Sequence, residues 1–117
     1  MESGDPDAIT SSDMLRQILG DVHPIAVDKV LNYLDQHSKR FIALSPFLCM
    51  ATVDESGVPD VSPRGDPPGF VKVMDDTTLV IPDRPGNKRA DAMHNIINGS
   101  AVGLVFFVPG ISETLRV

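Results

Sequence analysis

The sequence predicts a mainly β protein, a small β-barrel with peripheral helices. Three observations predict it. Helical patterns fill the first third of the chain, then come about four short apolar runs, one helical stretch and two more runs. This order lacks the regular strand–helix alternation of a doubly wound sheet, so antiparallel hairpins must predominate. The chain also carries 10 Pro and 9 Gly in 117 residues, and many of them lie between the apolar runs. They punctuate short elements joined by shaped turns.

Residues 1–10 are acidic, contain Gly and Pro, and are expected to form a flexible arm. Ser11, Ser12 and Asp13 offer N-caps for a helix ending near Gly20, with Met14, Leu15, Ile18 and Leu19 on one face. His23-Pro24 opens a second helix, since proline suits the first helical turn. Ile25, Val27, Val30, Leu31 and Leu34 give its apolar stripe, Phe41, Ile42 and Leu44 continue it, and Pro46 ends it. Helices are thus expected over residues 11–45, and the barrel over 46–117.

FLCMATVD has the composition of a buried strand, and Glu55-Ser56-Gly57 supplies a turn. VPDVS alternates and reads as the hairpin partner, with Pro59 favouring an edge or irregular position. Pro63-Arg64-Gly65-Asp66-Pro67-Pro68-Gly69 reads as a stiff polar loop. FVKVM and TTLVI are the third and fourth strands around an Asp75-Asp76 turn. Pro82-Asp83-Arg84-Pro85-Gly86 is a second shaped loop. Asn87 to Asn98 reads as a helix with Ala90, Met93, Ile96 and Ile97 as its apolar stripe and Gly99 as its cap. AVGLVFFV is the most hydrophobic strand, and Pro109-Gly110 turns into SETLRV. Because LRV looks like strand interior, the barrel is expected either to rely on a partner chain at that edge or to be truncated at its C-terminal end.

Composition narrows the function. The formal net charge of −6 argues against a general nucleic-acid binder. No apolar run approaches the ~20 residues of a membrane span, and the N-terminus lacks the pattern of a signal peptide. The expected address is cytoplasmic. The single cysteine, Cys49, excludes a disulfide framework within the chain. It lies in an apolar run and reads as inert core. His23, His37 and His94 lack metal-ligand spacing, so no metal site is expected. Ser45 and Ser62 have no nearby histidine base in sequence.

Chemistry concentrates in two segments, Ser62 to Asp66 and Asp83 to Arg89. Arg64, Arg84, Lys88 and Arg89 are four of the ten basic residues of an acidic chain. Lys88 and Arg89 fall where a helix is expected to start, against the gradient of its dipole. An anion such as phosphate between them and the helix N–H groups would resolve that conflict, with Asn87 capping the helix or donating to a phosphate oxygen. The alternative is that these are solvated loop charges paired with Asp66, Asp83 or Asp91. Neither GxxxxGK[ST] nor GxGxxG occurs.

These two segments carry a resemblance. FIALSPFLCMATVDESGVPDVSPRGDPPGFVKV, TLVIPDRPGNKRADAMHNI, VGLVFFVPG and SETLRV, in that order, resemble the pyridoxamine 5′-phosphate oxidase-like flavoproteins, especially the branch with SPRGDPPGF and IPDRPGN. The resemblance covers roughly Leu31 to Val117. It implies an FMN-binding split β-barrel, truncated relative to the family domain. It also implies a homodimer with cofactor at the subunit interface, and an FMN-dependent oxidoreductase acting on a small-molecule substrate or electron donor. Ser62, Pro63 and Arg64 would line the flavin ring or ribityl chain, Ile81 and Pro82 would form the strand end nearby, and Asn87, Lys88 and Arg89 would hold the phosphate. The same fold in relatives admits deazaflavin F420 or haem, and a non-enzymatic flavin-binding or dimerisation module is the alternative function. No catalytic side chain is assigned.

Overall fold

The computed structural model describes residues 8–19, 31–83 and 91–117. The expected arm over 1–7, the helix opening at His23-Pro24, Gly20, Arg84-Pro85-Gly86 and the segment Asn87 to Ala90 lie outside the described residues. The chain divides into two compact units, Met1–Asn32 and Tyr33–Val117.

The first unit contains α1 (Ser12–Leu19). Of the three candidate caps, Ser11 does the work. Its Oγ accepts the Met14 N–H at 3.1 Å and its carbonyl accepts the Leu15 N–H at 3.2 Å.

The second unit begins with α2 (Gln36–Leu44). The continuous helical stripe through Leu31 and Leu34 is corrected here. Residues 31–35 are not helical, and a new helix starts after Asp35, whose extended backbone lets its carboxylate accept the Ser38 N–H at 2.8 Å. A capping aspartate outweighs a run of well-spaced apolar residues. Leu34 nevertheless reaches the core, and Phe41 and Ile42 are the buried face of α2.

Four strands, β1 (Phe47–Val53), β2 (Pro59–Gly65), β5 (Gly103–Phe107) and β6 (Thr114–Arg116), form an antiparallel sheet in the order β2-β1-β5-β6. A separate antiparallel pair joins β3 (Lys72–Asp75) and β4 (Thr78–Val80). No ladder joins the two sheets among the described residues, so the mainly β architecture is that of a split barrel. Inward residues alternate along β1 and β5: Leu48, Met50 and Thr52 on one strand, Leu104 and Phe106 on the other. Leu48 faces Phe106 across the ladder, and both are 0% exposed. With Leu34, Phe41, Ile42, Val71 and Ala92 they make the core, and Val73, Leu79, Ile81 and Leu115 pack around it.

One loop is corrected. Pro63, Arg64 and Gly65 continue β2 instead of leaving it, pairing with Cys49, Leu48 and Phe47. Prolines fit because β2 is an edge strand, where an absent N–H costs no ladder bond on the open side. The polar loop begins at Asp66.

The last helix, α3 (Asp91–Ile97), is also corrected. The expected core stripe of Met93, Ile96 and Ile97 is exposed, and the buried positions are Ala92 and Asn95. Small Ala92 lets the helix approach the sheet. Asn95 is tolerated because its Nδ2 donates to the buried Thr52 Oγ1 at 3.0 Å. Gly99 ends the helix as expected. At φ +91° it makes the left-handed turn that lets Ser100 N–H reach the Asn95 carbonyl at 2.9 Å and its own N–H reach Ile96 at 3.0 Å.

Candidate functional site

β2 is amphipathic in an inverted sense. Its outward residues are Pro59, Val61 and Pro63, all exposed, and its inward residues are Asp60, Ser62 and Arg64, all half-buried. The ladder to β1 sets Asp60 opposite Thr52, Ser62 opposite Met50 and Arg64 opposite Leu48. A polar row therefore continues the core face of the sheet at its edge. Burying such groups is costly unless they are hydrogen-bonded.

Two atoms in that row lack a partner. Ser62 Oγ and Arg64 Nε are buried and make no hydrogen bond among the described residues. Arg64 brings a permanent cation with a fixed fork of donors, and Ser62 brings a hydroxyl that both donates and accepts. Together they suit an oxygen-rich, anionic or carbonyl-bearing ligand.

The supports around the row are firm. Beyond Arg64, the Asp66 N–H donates to the Pro46 carbonyl at 3.1 Å and the Gly69 N–H to the Ser45 carbonyl at 3.3 Å. Gly69 has φ +80°, and a Cβ there would meet the Ala43 carbonyl at 3.2 Å, so the loop closes on the end of α2 only with glycine. Ser45, 1% exposed, lies within hydrogen-bonding reach of both the Phe107 and Phe47 carbonyls, at 2.7 and 2.8 Å, for its one hydroxyl proton. It ties the end of α2 to β1 and β5. At the other end of the row, α3 packs on β1 and β2, and the Asn95–Thr52 bond fixes it there.

The sequence-designated residues divide accordingly. Ser62 and Arg64 share the inward face, whereas Pro63 points to the opposite face of β2. Ile81 and Pro82 follow β4 and are half-buried, Ile81 against the core. Asn87, Lys88 and Arg89 lie outside the described residues. Sequence reasoning missed Asp60, Thr52 and Asn95. The alternation of PDVSPRG carried the signal for Asp60 once the strand is extended through Pro63.

A model of the family described as pyridoxamine 5′-phosphate oxidase matches residues 34–117. The chain belongs to that family. The match starts at Leu34, one residue into the second compact unit, and covers both sheets, α2 and α3. No curated protein and no solved structure matches significantly. The family is of flavin-binding, oxidoreductase type, and its members are often dimeric. Unpartnered Ser62 Oγ and Arg64 Nε on a buried face fit the carbonyl-, hydroxyl- and phosphate-bearing edge of a flavin nucleotide. No helix among the described residues is long and apolar enough to cross a membrane.

Proposed function

We propose that this chain binds FMN against the inward row of β2 and works as an FMN-dependent oxidoreductase, as a homodimer with the cofactor at the subunit interface. The observation that carries the reading is the pair of buried, unpartnered donors, Ser62 Oγ and Arg64 Nε, on the strand that bears the SPRG motif. FMN supplies hydride transfer at its N5, which no protein side chain can supply. The chain's task is to bind and orient. Arg64 donates to ligand oxygens and sets a positive charge beside them. Ser62 fills the neighbouring hydrogen-bonding position. Ile81 and Pro82 give an apolar wall that excludes water from one side. Asn87, Lys88 and Arg89 hold the phosphate, consistent with two adjacent cations and an amide in a Gly-containing segment.

Denaturing the purified protein and identifying the released ligand by mass tests the reading, with FMN expected. Titration of apo-protein then tests the residues. Arg64→Ala and the Lys88→Ala/Arg89→Ala pair should each weaken FMN binding by about tenfold or more, since each removes charge-assisted hydrogen bonds. A protein that releases no flavin and shows no thermal shift with added FMN would favour the alternative, a non-enzymatic module. A released deazaflavin or haem would replace FMN in the reading.

A further inference from the structure

Asp60 is the third inward residue of β2, and neither the SPRG motif nor the proposed phosphate segment uses it. It is half-buried on the face that carries Ser62 and Arg64. Successive inward residues of a strand lie about 7 Å apart, so Asp60 and Arg64 stand about 13 Å apart along β2, and the two form no ion pair with each other. The ion pairs among the described residues, Lys39 with Asp76 and His37 with Glu113, do not reach β2. The residue opposite Asp60 in the ladder is Thr52, whose hydroxyl oxygen accepts from Asn95. The row thus ends in a carboxylate, has a hydroxyl in the middle and has a guanidinium at the other end. A carboxylate only accepts hydrogen bonds, and a guanidinium only donates them.

Resting on the FMN reading above, the geometry points to Asp60 as a specificity-determining residue that accepts a hydrogen bond from an O–H or N–H of the bound nucleotide. The row then reads a ligand by polarity. Acceptor oxygens lie at Arg64, and a donor group lies at Asp60, away from the cationic end. A flavin nucleotide satisfies both ends, because its ribityl hydroxyls and ring N–H are donors and its carbonyls and phosphate are acceptors. An inorganic anion offers nothing to the Asp60 end. A carboxylate at this place repels anions, and a donor group on the ligand would offset that repulsion.

That conflict gives a test by sign. Apo-protein of the wild type, Asp60→Leu and Asp60→Ala is titrated with FMN and with inorganic phosphate, and the thermal midpoint of each apo form is recorded. If Asp60 accepts a donor from the ligand, both variants bind FMN about tenfold or more weakly, while phosphate binds as well as before or better. If Asp60 acts only through its charge, neutralising it strengthens FMN binding, because FMN is itself an anion. Unchanged or tighter FMN binding in Asp60→Leu, which has no acceptor, therefore overturns the assignment. Equal weakening toward FMN and phosphate also overturns it, since that marks a general disturbance of the strand. Asp60→Leu keeps the side-chain size without an acceptor and decides the matter if Asp60→Ala does not fold. A wild type that takes up no FMN overturns the cofactor reading and this inference together, whereas a wild type that binds FMN as tightly as its Asp60 variants do overturns this inference alone.

Discussion

Asp35 and Asp75 show how single carboxylates set local structure in this chain. Asp35 caps α2, and the Ser38 N–H, then the Ser38 hydroxyl, hold its pKa below the ordinary 3.8 against the opposing effect of desolvation, with the charge of His37 adding less. Asp75 starts the β3–β4 turn, and its pKa is lowered first by the Thr77 N–H and next by the Thr78 hydroxyl. A carboxylate whose folded pKa is depressed stabilises the fold fully above its unfolded value and loses that contribution as pH falls through the folded value. Stability should therefore hold down to about the ordinary aspartate value of 3.8 and decline below it. Asp35→Ser keeps an N-capping oxygen but removes the titration. Its thermal midpoint should stay close to that of the parent at neutral pH and fall less steeply in acid. An acid limb identical to the parent's would show that Asp35 contributes nothing to it.

At the scale of elements, α3 is the informative case. Its sequence stripe pointed Met93, Ile96 and Ile97 inward, whereas the structure buries Ala92 and Asn95. Spacing alone could not decide, because the buried pair is also one turn apart on a helix face. What decides is a partner 43 residues away, the Thr52 hydroxyl that satisfies Asn95. Asn95→Ala should destabilise by about 1–3 kcal/mol, because it strands the buried Thr52 hydroxyl, while Asn95→Leu with Thr52→Val should recover much of that loss. Chemical denaturation of Asn95→Leu, Thr52→Val and their double variant measures the coupling. The strands, by contrast, were legible. Glu55-Ser56-Gly57, Pro109-Gly110 and the apolar runs marked hairpins by local chemistry, and Pro59 correctly indicated an edge. β2 was read too short because Pro63 and Arg64 look like loop residues in isolation. Only the register against Cys49 and Leu48 makes them strand, and that register depends on a neighbour. The site had the same limit. Ser62 and Arg64 were visible as a motif, but Asp60 joins them only through the two-residue period of the extended strand.

For the whole molecule, the outer face of the larger sheet poses a physical problem. Its rows run Phe47 beside Phe107, then Pro63–Cys49–Val105, Val61–Ala51–Gly103, and Pro59–Val53. The Phe47 and Phe107 rings touch, with centroids 5.8 Å apart, yet both side chains remain exposed, and Val61 is 67% exposed. An exposed apolar patch of this extent marks an interaction surface. A second copy fits the dimeric habit of the family. It also fits β2, where the outward residues Pro59, Val61 and Pro63 alternate with the inward row of the proposed site, so a partner covering one face ends on the strand that carries the other. In a two-fold interface each substitution counts twice. Val61→Glu should therefore weaken self-association by about a hundredfold or more, because it buries two unpaired charges. In an isolated subunit the same change at an exposed position should leave the thermal midpoint almost unmoved. Sedimentation of parent and variant over a range of concentrations reads both expectations. A parent that stays monomeric at every concentration, or a variant that dimerises as well as the parent, would show that the outer face of the sheet serves no second copy.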